Sequence, residues 1–227
     1  QLGQPEEAIA NYKRAIAIKP DYDKTHHNLS HALLDMGQLD QAITSCQKAL
    51  ALNPRNSDAY NSLGLLFREL GQTDNAVENF LKALAIQPNS PAALNNLGIG
   101  YNTLGNFEQA LVFFQKALEF DPDFAEAHNN LGSTLQDLRK FDEAIASYKK
   151  ALTLKPDYLD ANDNLGTLLE ASGQPNKAVA YFKKALSIKP DYALAYSNLG
   201  RVLWKLGDFG DAIVHHQRAV ALEPENQ

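Results

Sequence analysis

The chain has 227 residues, 44% hydrophobic and 21% charged, which is enough to bury a sizeable core and ordinary for a water-soluble protein. Its formal net charge of -6 argues against a nucleic-acid binder, which carries a basic excess to neutralise phosphates, and leaves protein or peptide partners. No apolar run approaches the roughly 18 residues of a membrane span. The single cysteine, Cys46, can form neither an intramolecular disulfide nor a cysteine-based zinc knuckle, so the expectation is a cytoplasmic chain without membrane insertion.

The opening stretch, Gln1-Leu2-Gly3-Gln4-Pro5-Glu6-Glu7, lacks the basic end and apolar run of a signal peptide. Residues 5 to 18 read as one amphipathic helix, the second half of a unit whose first half is absent, and a fragment of a longer protein is therefore expected. A period of 34 then governs the chain. Prolines recur at Pro20, Pro54, Pro88, Pro122, Pro156, Pro190 and Pro224, and alanines at Ala42, Ala76, Ala110, Ala144, Ala178 and Ala212. Counting from Asp23, full units run 23–56, 57–90, 91–124, 125–158, 159–192 and 193–226, after the half unit 1–22, and the whole of 1–227 is expected to form a single array.

Each unit carries two apolar stripes at helical spacing. In the fourth unit Ala127, Leu131, Thr134, Leu135 and Leu138 form the stripe of helix A, and Ala144, Ile145, Tyr148, Ala151 and Leu152 that of helix B. Between the helices a glycine register, Gly37, Gly71, Gly105, Gly173 and Gly207, suits a helix C-terminus in the left-handed region. Arg139 breaks this register and should strain its turn. The closing proline ends helix B, and Asp21, Asn89, Asp123, Asp157 and Asp191 are candidate caps for the next helix A. A second glycine register, Gly64, Gly98, Gly132, Gly166 and Gly200, lets helices approach closely, with Ser30 as its substitute in the first unit. The aromatic register of helix B holds Cys46 there and His216 in the last unit. Asn162 puts an amide at the first core position of helix A, so its unit and the last one are expected to pack less well.

These residues resemble the tetratricopeptide repeat family, a 34-residue helix-turn-helix with a Leu-Gly pair, an aromatic, two alanines and a closing proline. The resemblance covers the full chain. It implies an all-α, right-handed superhelical solenoid of antiparallel helix pairs, with helix A lining a concave face, acting in protein–protein interaction rather than as an enzyme. No cofactor or metal is implied. The lysines and arginines with which chaperone-binding members clamp a C-terminal carboxylate are missing at the matching places, His27, His31, Ser62, Ala92 and Asn96.

Helix A opposite its apolar stripe carries an asparagine column: Asn28, Asn96, Asn130, Asn164 and Asn198, with Ser62 in the second unit. An amide offers donor and acceptor together, so such a column can bond the backbone of an extended peptide. In this it is similar to the repeat arrays of O-GlcNAc transferases and related glycosyltransferases, which implies the rival that the array targets substrates to a catalytic domain elsewhere. The other role open to these asparagines is to bond neighbouring helices. Glu126, Asp137, Asp160, Asp163 and Glu170 should make the middle of this face acidic, with Arg201 and Lys205 beyond them, and suit a basic or hydroxyl-rich polypeptide segment. Trp204 is a candidate anchor. Apolar ends favour end-to-end self-association as a further reading. His27, His31 and Asp35 are spaced like ligands on one helical face, but a single helix rarely completes a tetrahedral set, and a solvated polar face is the plainer expectation.

Overall fold

The computed structural model describes residues 5–222. Among them it shows thirteen α-helices and no strand, grouped into two compact units, 1–120 and 121–227. Gly3 and Pro224 lie outside the described residues. Unit 1 contains α1 (Pro5–Ile18), α2 (Asp23–Asp35), α3 (Leu39–Leu52), α4 (Ser57–Glu69), α5 (Thr73–Ile86), α6 (Pro91–Thr103) and α7 (Phe107–Phe120). Unit 2 contains α8 (Ala125–Asp137), α9 (Phe141–Leu154), α10 (Leu159–Ala171), α11 (Pro175–Ile188), α12 (Ala193–Lys205) and α13 (Phe209–Leu222).

Within each unit every helix packs on the next in sequence, and alternate helices touch as well: α2, α4 and α6 in unit 1, and α8, α10 and α12 in unit 2. This is the stacking of two-helix repeats expected from the period, since one hairpin cannot bury its apolar stripes alone. In helix B the alanine register from Ala42 to Ala212 is buried, as is the one seven residues on, Ala49, Ala83, Ala117, Ala151 and Ala185, while Ala219 in the last repeat is half-buried. Six turns between paired helices carry a positive φ, five at glycine and one at Arg139, with φ of 60°. Arg139 thus takes the left-handed conformation its place demands despite its Cβ.

The second glycine register is a packing device. A Cβ built on Gly64 would lie 2.5 Å from the Phe80 ring, and one on Gly166 2.8 Å from Phe182. Ser30 and Cys46 explain each other: where the first repeat spends an extra side chain in helix A, it gives up the aromatic ring in helix B. Both are buried, and the Cys46 Sγ–H donates to the Ala59 carbonyl across 3.0 Å.

Two expectations are corrected. The helix A caps sit one residue later than Asp21, Asn89, Asp123, Asp157 and Asp191: only Asn56 and Ser90 act as side-chain caps, accepting from Ala59 N at 3.0 Å and Ala93 N at 3.4 Å. In unit 2 the cap positions are Phe124, Tyr158 and Tyr192, without a side-chain bond. Asp123 and Asp157 instead reach across to Lys150 and Lys184. Asn162 is not a weak point either. It is 2% exposed, and its Nδ2 donates to the Tyr158 and Pro156 carbonyls at 2.8 and 3.2 Å. His26, His128 and Tyr196 contact the carbonyl of the preceding repeat-closing proline in the same way, so the position works as a polar latch as well as an apolar plug.

Candidate functional site

The fifth and sixth positions of helix A, buried in some repeats and partly exposed in others, are joined between repeats. In unit 1, Asn96 Nδ2 on α6 donates to Asn61 Oδ1 on α4 at 3.0 Å, and Ser62 Oγ lies 2.9 Å from His27 Nε2 on α2. In unit 2, Asn164 Nδ2 on α10 donates to Asn129 Oδ1 on α8 at 3.2 Å, and Asn198 Nδ2 on α12 donates to Asp163 Oδ1 on α10 at 3.1 Å. Every rung spans 35 residues, one more than the period, because adjacent A helices are staggered by a residue. The asparagine column therefore bonds neighbouring helices. It is not exhausted by doing so: a carboxamide has two N–H groups and an acceptor, and Asn96, Asn130 and Asn164 remain partly exposed, while Asn28 is exposed. Asn198 is different, 8% exposed, with its Oδ1 accepting from Arg201 at 3.0 Å.

The acidic residues divide the same way. Glu126 and Asp160 stand exposed at the first turns of α8 and α10, and Asp137 is exposed at the end of α8. Asp163 and Glu170 face inward. The Glu170 side chain is 1% exposed and bonds Arg201 and Lys205, with Oε1 2.9 and 2.6 Å from their nitrogens. The face of unit 2 is thus less acidic than its composition suggests, because two of five carboxylates are enclosed and the cations expected at its far end neutralise one of them. Burial holds the Asp163 and Asp137 carboxyls above the usual carboxylate range, and at Asp163 the Asn198 bond works against that rise. The Tyr158 hydroxyl, between buried surroundings and the charges of Glu126 and Asp160, is pushed up to about 12.

Trp204 is 55% exposed and meets Phe209 edge-on at 4.8 Å between ring centroids. It borders a shallow apolar hollow of about 430 Å³ with Ile213 and Val220 of α13. In unit 1 a polar hollow of about 540 Å³ opens beside His27 and Asn28, walled by Asp23, Lys24, Arg55 and Asp58. Asp23 there accepts from Asn53 at 2.8 Å and Asn56 at 3.2 Å, and these bonds hold its carboxyl below the usual range. Sequence reasoning had passed over Asn53, Arg55 and the fifth-position residues Asn61 and Asn129. A search for complementary polar pairs one residue beyond the period would have found Asn61 and Asn129. No group of three or more His, Cys, Asp or Glu side chains among the described residues is arranged to hold a metal ion, and no helix among them is long and apolar enough to cross a membrane. Cys46 is buried in the core and its thiol is pushed up to about 12, which makes it filler rather than a nucleophile.

With this geometry in place, two family models, both described as tetratricopeptide repeat, match the chain. One covers residues 55–123 and 123–191, the other 1–66 and 169–227, and the first alone spans more than half of the sequence. No curated protein matches. Among solved structures, the crystal structure of MamA is 29% identical, with 72% of this chain and 95% of that one covered at a TM-score of 0.65. PilW, described as a widely conserved type IV pilus biogenesis factor, is 26% identical, with 90% and 95% covered at 0.83. YrrB, described as a TPR protein with an unusual peptide-binding site, is 26% identical, with 81% and 95% covered at 0.62.

Proposed function

The chain belongs to the tetratricopeptide repeat family, and on that premise we propose that it is a non-catalytic binding array whose A helices hold an extended polypeptide segment. The observation that carries this reading is the half-exposed pair Asn96 and Asn164. Each is fixed in orientation by one bond to the neighbouring helix A and retains donor and acceptor capacity at the surface, which is what recognition of a peptide backbone without regard to its sequence requires. In unit 2 the exposed carboxylates Glu126, Asp137 and Asp160 flank this surface, and they favour a segment rich in lysine, arginine or hydroxyl side chains. The description of YrrB as having a peptide-binding site supports the same reading. A cytoplasmic setting agrees with the unpaired, buried thiol of Cys46.

Calorimetric titration with a Lys/Ser-rich peptide tests it. Binding is expected to weaken several-fold on Asn164→Ala and again on Asp160→Asn, and to fall as salt rises past about 0.15 M. Equal affinity for an acidic peptide, or indifference to both substitutions, would overturn the reading.

A second reading is favoured by one observation. Ile213 and Val220 occupy on α13 the places that Val179 and Leu186 hold on α11, a helix covered by α12, yet both are about half exposed, as are Trp204 and Phe209. A second copy of the chain docking here would give concentration-dependent dimers in light scattering, abolished by Ile213→Glu. A monomer at every concentration would remove this reading and leave the first intact.

A further inference from the structure

At the first rung of unit 1 two imidazoles meet. His27 and His31 lie one turn apart on α2 and so share a face; their ring centroids are 4.7 Å apart with planes inclined at 72°, and their Nε2 atoms are separated by 3.2 Å. Ser62 of α4 closes a triangle, its Oγ 2.9 Å from His27 Nε2 and 3.0 Å from His31 Nε2. One imidazole N–H and the serine O–H can satisfy two edges of this triangle, and the third brings the two Nε2 atoms together. A neutral imidazole carries one N–H and a hydroxyl one O–H, and two protonated Nε2 atoms facing each other would repel. In its neutral tautomers the pair can turn both Nε2 lone pairs toward one point.

A tetrahedral ion held by two imidazole nitrogens at about 2.0–2.1 Å sets those nitrogens roughly 3.3 Å apart. The observed separation is that bite, and the serine oxygen stands on a third corner of the same coordination sphere. We propose that His27, His31 and Ser62 form a binding site for a divalent transition-metal ion of the Zn²⁺ or Cu²⁺ class, ligated by the two Nε2 atoms with Ser62 Oγ or a water it holds as the third donor. The remaining position is open to water or to a side chain of a bound partner, which makes the ion exchangeable rather than structural. Asp35, which completes the spacing in sequence, is exposed a turn farther on; the third donor comes instead from the neighbouring repeat. The site lies on the face assigned above to polypeptide binding, but it stands or falls without a peptide.

The test is calorimetric titration of the untagged 227-residue chain with zinc chloride alone near neutral pH. One ion per chain is expected, with affinity falling in His31→Ala and in His27→Ala by more than the roughly 10–100-fold that loss of an outer-shell partner costs. It should also fall on acidification through the imidazole range, because both ligands must shed their Nε2 protons. His31 is exposed, so its substitution leaves the fold intact, and circular dichroism checks this. His215→Ala, on α13, should bind as the parent does. No uptake at about 1 mM Zn²⁺ by folded protein would overturn the proposal, as would binding that survives His31→Ala or is lost in His215→Ala.

Discussion

The rungs of unit 1 are neutral, His27 with Ser62 and Asn61 with Asn96. Unit 2 keeps the same 35-residue offset but charges it: after Asn129 with Asn164 come Asp163 with Asn198 and then Glu170 with Lys205. The buried packing differs too. Unit 1 contains the Ser30–Cys46 combination, whereas every repeat of unit 2 sets a glycine against a ring, such as Gly166 against Phe182. The stagger of the A helices dictates which positions meet, and any pair that supplies a donor to an acceptor satisfies it. Neutral rungs contribute little beyond register. A charged rung adds dependence on pH, salt and the presence of both partners, because a carboxylate shut away from water is costly once its cations are gone.

The largest expected effect breaks the charged rung. Removing both cations, Arg201→Ala with Lys205→Ala, leaves the Glu170 carboxylate buried and unpaired and should cost about 3 kcal/mol, the low end for such a group because the cations are themselves half exposed. Asn96→Ala in unit 1 removes a partner from the half-exposed Asn61 and should cost about 1 kcal/mol. Urea denaturation of the two variants compares them directly. Equal losses would mean that Glu170 finds water or a proton on losing its partners, and the contrast between the units would disappear.

The next effect tests the packing contrast. Cys46→Phe puts the ring of the other repeats against Ser30 rather than glycine, and should destabilise by about 2 kcal/mol through overpacking. Adding Ser30→Gly should recover about half of this, a coupling that a double-mutant cycle reads directly. Additive effects would show that Ser30 and Cys46 vary independently and that the first repeat is not a repacked version of the others.

The 34-residue period made the helices, their order and the close-approach glycines legible, because each property repeats at fixed places in the unit. The Arg139 turn was equally plain, since one residue stands where left-handed backbone recurs. The site was legible only in part. The asparagine column stood out because it follows the period, but its bonds run to the fifth-position residues one step out of phase, and phase is set by helix stagger, which composition does not encode. For the same reason Arg201 and Lys205 read as the far end of a charge gradient rather than as the partners of Glu170. The helix caps fall one residue beyond the polar residue that follows each proline, at places where four of the six units carry an aromatic, so composition pointed to the wrong neighbour.

The smallest expected effect makes the two units alike. Asp163→Asn converts the Asp163–Asn198 rung into the chemistry of Asn129–Asn164. Burial raises the Asp163 carboxyl above its ordinary value of 3.8, so the folded chain holds that proton more tightly than the unfolded one. A raised carboxyl stabilises the fold at low pH, and this stabilisation is lost as pH rises from the ordinary value through the raised one. At neutral pH the buried charge is a net cost, and Asp163→Asn should stabilise by up to about 1 kcal/mol, with the advantage vanishing once the acid is protonated in both states. Thermal melts of parent and variant across the acid range measure it. A variant less stable than the parent at neutral pH would show that attraction to Arg201 outweighs the burial of Asp163, and that unit 2 gains from its charge what unit 1 obtains from neutral amides.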